Sequence, residues 1–330
     1  MSQHALVTGA SGFVGSNLVQ QLLQQGWQVS AFCRASSDLR NLPTSDIDIH
    51  HGDVTDAGTV SKAVANKPDC IFHIAADTSV WRGHRQRQWQ VNVEGTRHVV
   101  AAARKHNISK LVYTSSFATW GLQPQRFDET TEPDVSAHWI HYIRSKAYAR
   151  DIVLDAVAQH RLNAVLLCPG HILGAHDRHN WARLFIMLAQ QTLPGVPPGS
   201  GAFADVEAVA KAHVHAAAVG RAGEQYLLGG AEVSYLDLLQ QAAQTLQVPA
   251  PRRTTPAWLL KTAATLLHWQ SKFTSKEPRI TPEGAAMVCA HMQCDSSKAQ
   301  RELDYRITDI DQLLRKTLHW LQQEDLLRPG

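Results

Sequence analysis

The sequence predicts an α/β fold: a doubly wound parallel sheet with a smaller, mostly helical C-terminal substrate domain. Three observations predict it. Short apolar runs alternate with helical periods through the first half of the chain. A glycine-rich turn separates the first apolar run from the first helical period. After Pro169 the rhythm changes to a Pro/Gly-rich stretch followed mainly by helices. Strands alternating with helices imply right-handed βαβ units and hence parallel pairing.

The elements follow in order. Leu6-Val7 opens the first strand. Residues 16–25 read as a helix stopped by Gly26. Residues 29–32, 47–50 and 70–75 read as the second, third and fourth strands. Residues 91–106 form a long helix ending near Asn107, and 111–114 a fifth strand. Residues 140–160 are helical, and 164–168 form the next strand. Residues 193–201 are a loop by their Pro and Gly content. Residues 206–219 read as a helix and 226–228 as a short strand. Residues 234–246, 259–267 and 310–323 read as helices. The first domain spans 1–170, with segments around 200–225 returning to it; 171–330 supplies mainly the second.

Composition narrows the classes. Lys plus Arg is 32 and Asp plus Glu 29, a net charge of +3. That balance, with no basic run, gives no reason to expect a nucleic-acid partner. The 18 histidines are scattered, so no metal site is expected. Five cysteines without a CxxC pair suit a reducing, cytoplasmic setting. The N-terminus runs directly into a strand pattern, so no signal peptide is expected. The most apolar stretch, 257–269, is shorter than a bilayer and contains Lys261 and His268, so no membrane span is expected. An interfacial or core helix stays open for it.

The turn Thr8-Gly9-Ala10-Ser11-Gly12-Phe13-Val14-Gly15 follows a strand and opens a helix. Gly9 permits the tight turn, Gly12 lets the backbone approach a pyrophosphate, and Gly15 allows close helix–sheet packing. Free N–H groups at the helix start favour the anion. This is the dinucleotide cradle of a Rossmann-type domain, formed by Gly9, Ser11, Gly12, Phe13, Val14 and Gly15. An NAD site usually carries a carboxylate at the end of the second strand. Here that strand runs into Arg34-Ala35-Ser36-Ser37, and Asp38 comes later. Arg34, helped by Ser36, Ser37 or Arg40, suits a 2′-phosphate, so NADP(H) is expected over NAD(H). The alternative is that Arg34 is a solvated surface charge.

Tyr142 and Lys146 are four residues apart and share one helical face. A free tyrosine titrates near 10, and a neighbouring ammonium is expected to lower that value. Tyr-x-x-x-Lys alone occurs by chance in many helices. Its position after a strand ending Thr114-Ser115-Ser116 gives it weight. Ser116 then lies at the carboxyl edge of the sheet, where ligands bind. The expected chemistry is carbonyl reduction: Tyr142 donates the proton and Ser116 orients the oxygen.

Taken with Gly52-Asp53-Val54-Thr55-Asp56, His73-Ile74-Ala75-Ala76, Asn92-Val93-Glu94-Gly95-Thr96, Cys168-Pro169-Gly170 and Asp205-Val206, these motifs cover nearly the whole chain. The chain resembles an extended short-chain dehydrogenase/reductase. It is most similar to the dihydroflavonol-reductase-like branch of the NAD-dependent epimerase/dehydratase family. The resemblance implies that Asp53 and Val54 contact the adenine and that Ala75 and Ala76 line the cleft. It further implies that Pro169 and Gly170 lie against the nicotinamide, and that Ser116 rather than Ser115 is catalytic. Asn92 either orders the site or caps a helix. Thr78, Phe117, Trp120, His171 and Phe185 are candidate substrate contacts; for His171 a structural role is the alternative. Relatives often dimerise through two long helices, here 91–106 and 140–160. A nucleotide-sugar epimerase and a non-catalytic dinucleotide-binding regulator are the alternatives to an NADPH-dependent reductase. Phe117-Ala118 in place of an Asp-Glu pair disfavours sugar dehydration. Arg178, Arg183, Arg252 and Arg253 keep a sugar-nucleotide site open.

Overall fold

A computed structural model describes residues 2–328, except 134, 136, 137 and 275. The chain runs β1 (His4–Thr8), α1 (Phe13–Gln24), β2 (Gln28–Cys33), β3 (Asp48–His51), α2 (Ala57–Val64), β4 (Cys70–His73), α3 (Arg85–Trp89), α4 (Gly95–Lys105), β5 (Lys110–Thr114), α5 (His141–His160) and β6 (Ala164–Pro169). It continues β7 (His171–Leu173), α6 (Ala182–Ala189), β8 (Ser200–Asp205), α7 (Val206–Val219), β9 (Gln225–Leu228), β10 (Ala231–Ser234) and α8 (Tyr235–Leu246). It ends α9 (Ala257–Thr274), α10 (Pro282–Cys289), β11 (His291–Met292), α11 (Ser297–Leu303) and α12 (Ile310–Gln323).

Seven strands form a parallel sheet in the order β3-β2-β1-β4-β5-β6-β9. Six of its strands are buried along nearly their whole length, as apolar strands covered on both faces must be, whereas the edge strand β3 is partly exposed throughout. Helices α1 and α7 pack with Leu18, Val19, Leu22, Val209 and Ala210 against one face. Helices α2, α4 and α5 cover the other with Val60, Val99, Ala149 and Val153. The strand order reverses between β1 and β4, which opens a crevice at the carboxyl edge. The register puts Thr8 opposite both Phe32 and His73, His73 opposite Tyr113, and Thr114 opposite Leu167. The carboxyl ends of β1, β2, β4, β5 and β6 therefore lie along one edge.

The C-terminal region contains more than helices. β7, β8, β10 and β11 form a second, four-stranded sheet. Its strands are two to six residues long and poor in β-branched residues, so alternation does not reveal them. The loop expected at 193–201 runs two residues into β8. Of the segments expected to return near 200–225, β8 joins this second sheet, whereas α7 and β9 complete the first. Helices α6, α8 and α12 enclose a separate core of Phe185, Leu238, Leu239, Leu313 and Leu318.

Several boundaries differ from expectation. α1 begins at Phe13, because extended Gly12 already caps it. β4 ends at His73, and the Ala75 N–H turns to the Thr8 hydroxyl. The helix expected at 91–106 is the end of a longer helical stretch with a π-turn at Gln90–Glu94. Helices α2, α6, α10 and α11 carry too few residues for a clear period. α2 is set by its Asp56 cap, whose carboxylate accepts from the Gly58 and Thr59 N–H groups.

Candidate active site

The glycine turn leaves β1 with Gly9 at φ +70°, a conformation that disfavours a side chain. A Cβ there would also lie 2.8 Å from the backbone of Ala75. A Cβ on Gly15 would lie 2.1 Å from the Gly9 carbonyl oxygen, so Gly15 lets the helix pack on its own turn. Gly12 offers no side-chain acceptor to α1. The Ser16 N–H bonds the Gly12 carbonyl, but the N–H groups of Phe13, Val14 and Gly15 have no acceptor among the described residues. Three free donors at the start of a 12-residue helix, without a side-chain cap, fit a pyrophosphate.

Around this cradle, Ser11 stands beside the Cys33 thiol. Arg34 follows β2 directly and is exposed, and its guanidinium has no partner among the described residues. Arg40 is taken by Asp38, 2.6 Å away. Asp53 uses one carboxylate oxygen to hold the Thr55 N–H (2.9 Å) and hydroxyl (2.8 Å). Its second oxygen has no hydrogen-bond partner among the described residues. Val54 is buried against Gly95, where a Cβ would meet it at 2.9 Å. Ala75 is partly buried and Ala76 exposed.

Ser116, Tyr142 and Lys146 are brought together. Ser116 leaves β5 in extended conformation, and its hydroxyl accepts from the Ala118 N–H at 3.2 Å. It also faces the Tyr142 phenol and holds that group's pKa down in part. Burial outweighs this and leaves the Tyr142 pKa above its usual value. Lys146 is not what lowers it, contrary to expectation. The Lys146 ammonium is turned to the Thr114 carbonyl (2.8 Å) and the Tyr113 hydroxyl (3.1 Å). Burial in turn depresses Lys146 to about 8. Lys146 thus spends two of its three donors within the protein, and one remains for a ligand. Tyr142 stays a neutral phenol at pH 7, which suits a proton donor.

A buried chain supports this lysine, and motif reading missed it. The Thr96 hydroxyl donates to the Asn92 carbonyl at 2.7 Å. It must then accept from His73 Nε2 at 3.0 Å, which makes His73 Nδ1 the acceptor for the Thr8 hydroxyl at 2.7 Å. Tyr113 also contacts Thr96 through its hydroxyl. The glycine turn is thereby tied to Lys146 through Thr8, His73, Thr96 and Tyr113. Asn92 is no helix cap. It sits inside the π-turn, accepts from the Asp77 N–H (2.7 Å), and donates to the Asp77 carbonyl (2.9 Å) and the Ser145 hydroxyl (3.0 Å). On the other side, His213 Nδ1 donates to the Val209 carbonyl, and its Nε2 accepts from the Thr114 hydroxyl, both at 2.8 Å.

The candidate substrate contacts separate into groups. Thr78 is exposed beside the cleft. Phe117 is buried next to Tyr142 and would touch a Cβ on Gly170 at 3.6 Å. Trp120 and Phe185 are fully buried and present no open surface. His171 is packed by Phe117, Trp181, Phe203 and Tyr235, and its Nε2 is 3.2 Å from the Tyr235 hydroxyl. Ala286, Met287 and Ala290 of α10 complete the apolar wall near Tyr142. No sequence signal marked them, because α10 itself was not recognised.

Burial holds His73 and His171 at about 3 and His213 at about 4, so all three are neutral in the folded chain. The unfolded chain protonates them near 6.5. Above that pH neither state is charged and stability is complete. As pH falls below 6.5 only the unfolded state gains protons, so stability falls by up to about 1.4 kcal/mol per pH unit for each histidine. Thermal melts followed by circular dichroism should therefore show Tm dropping steeply between pH 6.5 and 4.5. A flat Tm over that range refutes the neutral assignments.

The chain is a nicotinamide-dependent oxidoreductase of the extended short-chain dehydrogenase/reductase type. The chain belongs to the NAD-dependent epimerase/dehydratase family, whose model matches residues 5–229. A Synechocystis protein named as a dihydroflavonol 4-reductase is 32% identical over 99% of this chain and 97% of its own length. The Methylococcus capsulatus sterol demethylase protein B is 28% identical over 98% and 99%. Among solved structures, gox2253 superposes with a TM-score of 0.86 at 29% identity, over 99% of this chain and 100% of its own. The Thermus thermophilus UDP-glucose 4-epimerase complexed with NAD shares the fold, with a TM-score of 0.78 at 22% identity over 97% and 99%.

Proposed function

We propose that the protein is an NADPH-dependent reductase of ketones or aldehydes with an apolar body. The neutral, partly buried Tyr142 phenol beside Ser116 carries this reading. The dinucleotide would rest on the α1 N-terminus, with Asp53 and Val54 at the adenine and Pro169 and Gly170 at the nicotinamide; it supplies the hydride. Ser116 donates a hydrogen bond to the substrate oxygen and fixes its direction. Tyr142 passes its proton to that oxygen as the alcohol forms. Lys146 holds the nicotinamide ribose with its remaining donor. Phe117 and Met287 exclude water and favour an apolar substrate, in keeping with the flavonoid and sterol names of the relatives.

Arg34 supports NADPH over NADH, since it follows β2 directly, is exposed and has no partner among the described residues. Arg34→Ala should weaken NADPH binding about 10- to 100-fold and leave NADH nearly unchanged, from the loss of one charged hydrogen-bond partner. Titration calorimetry with both dinucleotides measures this, and equal losses refute the role. The epimerase alternative needs cations for a sugar diphosphate, yet Arg178 is already paired with Glu324 and stacked on Trp320. A panel of apolar ketones and aldehydes followed at 340 nm, with sugar nucleotides followed by chromatographic separation of the epimers, decides between the two. Turnover of sugar nucleotides alone overturns the reductase reading. The same proposal includes a reducing, cytoplasmic setting, in line with five free cysteines. It also includes a homodimer through α4 and α5, which light scattering would register as twice 36.5 kDa.

A further inference from the structure

Helix α9 turns five large apolar side chains to solvent: Trp258, Leu259, Leu266, Trp269 and Phe273. Trp258 is 69% exposed, Leu266 66%, Trp269 58% and Phe273 88%. On a helical wheel they share an arc of about 100°. Ala264 and Ser271, on the opposite side, are buried where the helix seats on α10. The five share one face, a strip broken only by the exposed Thr262, unlike the scattered apolar residues of an ordinary surface.

Its borders are cationic. Lys261 and Lys272 flank the strip on one side, and the Lys272 ammonium lies 4.2 Å from the Trp269 ring centroid. Exposed Arg252 and Arg253 precede the helix, and exposed Lys276 and Arg279 follow it. Residues 257–274 contain no Asp or Glu. The nearby Glu277 carboxylate faces His84 at 3.8 Å. A second copy docked on this strip would bring like charges together. An anionic lipid surface would not, and it takes Trp, Phe and Leu into the acyl boundary while lysines reach the headgroups. Among the described residues no helix is long and apolar enough to cross a membrane, so the contact is peripheral.

We propose that α9 lies in the surface of an anionic lipid bilayer and holds the enzyme there as a peripheral protein. Because α9 seats on α10, and α10 lines the apolar wall near Tyr142, the lipid surface is one helix away from the site. The proposal stands whatever the substrate is.

The test is co-sedimentation of the full chain with vesicles of phosphatidylcholine alone and of phosphatidylcholine containing about one-third phosphatidylglycerol. Binding to the anionic vesicles is expected, weakening with salt and accompanied by a blue shift of tryptophan fluorescence. The double variant Leu266→Glu/Trp269→Glu should bind at least about tenfold less while keeping Tm and turnover of a water-soluble carbonyl. Absence of vesicle binding, or a variant that binds like the parent, overturns the proposal. A variant that instead changes the mass seen by light scattering, with no vesicle binding in either protein, also overturns it and assigns the strip to a second copy.

Discussion

Replacing Tyr142 with Phe is expected to lower kcat about 10²- to 10⁴-fold, the usual contribution of a positioned proton donor. The substitution removes one oxygen and keeps the ring that packs against the buried cluster containing Phe117. Dinucleotide affinity and Tm should therefore stay near those of the parent. Burial keeps the phenol protonated well past neutrality, so the donor is charged with its proton at pH 7, and after each reduction the phenolate takes a proton back from water. Steady-state kinetics together with dinucleotide titration separate the possibilities. A variant that retains parental kcat removes Tyr142 from the reaction.

Replacing Lys146 with Met should also be damaging, for a different reason. The ammonium donates to the Thr114 carbonyl and the Tyr113 hydroxyl and is nearly inaccessible to water. Met fills similar volume but donates nothing, so both acceptors lose their partner and a ligand ribose loses its donor. The one charged hydrogen bond to the ribose, at about 1.5–3 kcal/mol, places the loss in kcat/KM at about 10- to 100-fold, while the two lost internal bonds lower Tm. The depressed pKa adds a signature. With Lys146 at about 8, kcat/KM of the parent should fall on the alkaline side with an apparent pKa near 8. The variant should lack that limb. An unchanged alkaline limb in Lys146→Met would assign it to another group.

The fold was legible because the parallel strands other than the edge strand β3 are buried on both faces and so read as continuous apolar runs. The glycine turn was legible because conformation and space both demand glycine at Gly9, and a sequence shows that demand directly. Tyr142 and Lys146 were legible through helical spacing and their order after Ser116. The small sheet was not, since two- to six-residue strands held by pairing to β8 leave no alternation to detect. The wall from α10 was missed for the same reason: Ala286 and Met287 matter by where a short helix sets them, not by what precedes them.

The sequence by itself determined the doubly wound sheet, the dinucleotide turn, and the identities of the serine, tyrosine and lysine. Local periodicity and backbone geometry are properties of neighbours along the chain, so they can be read there. Only the tertiary structure decided what those groups bond to. Lys146 was expected to act on Tyr142, and its ammonium is turned to Thr114 and Tyr113 instead. Tyr142 was expected to be acidified, and burial moved it the other way. Asn92 was open to reading as a cap, and it became a bridge between Asp77 and Ser145. Each of these depends on desolvation and on partners 15 to 53 residues away, and neither quantity exists until the chain is folded.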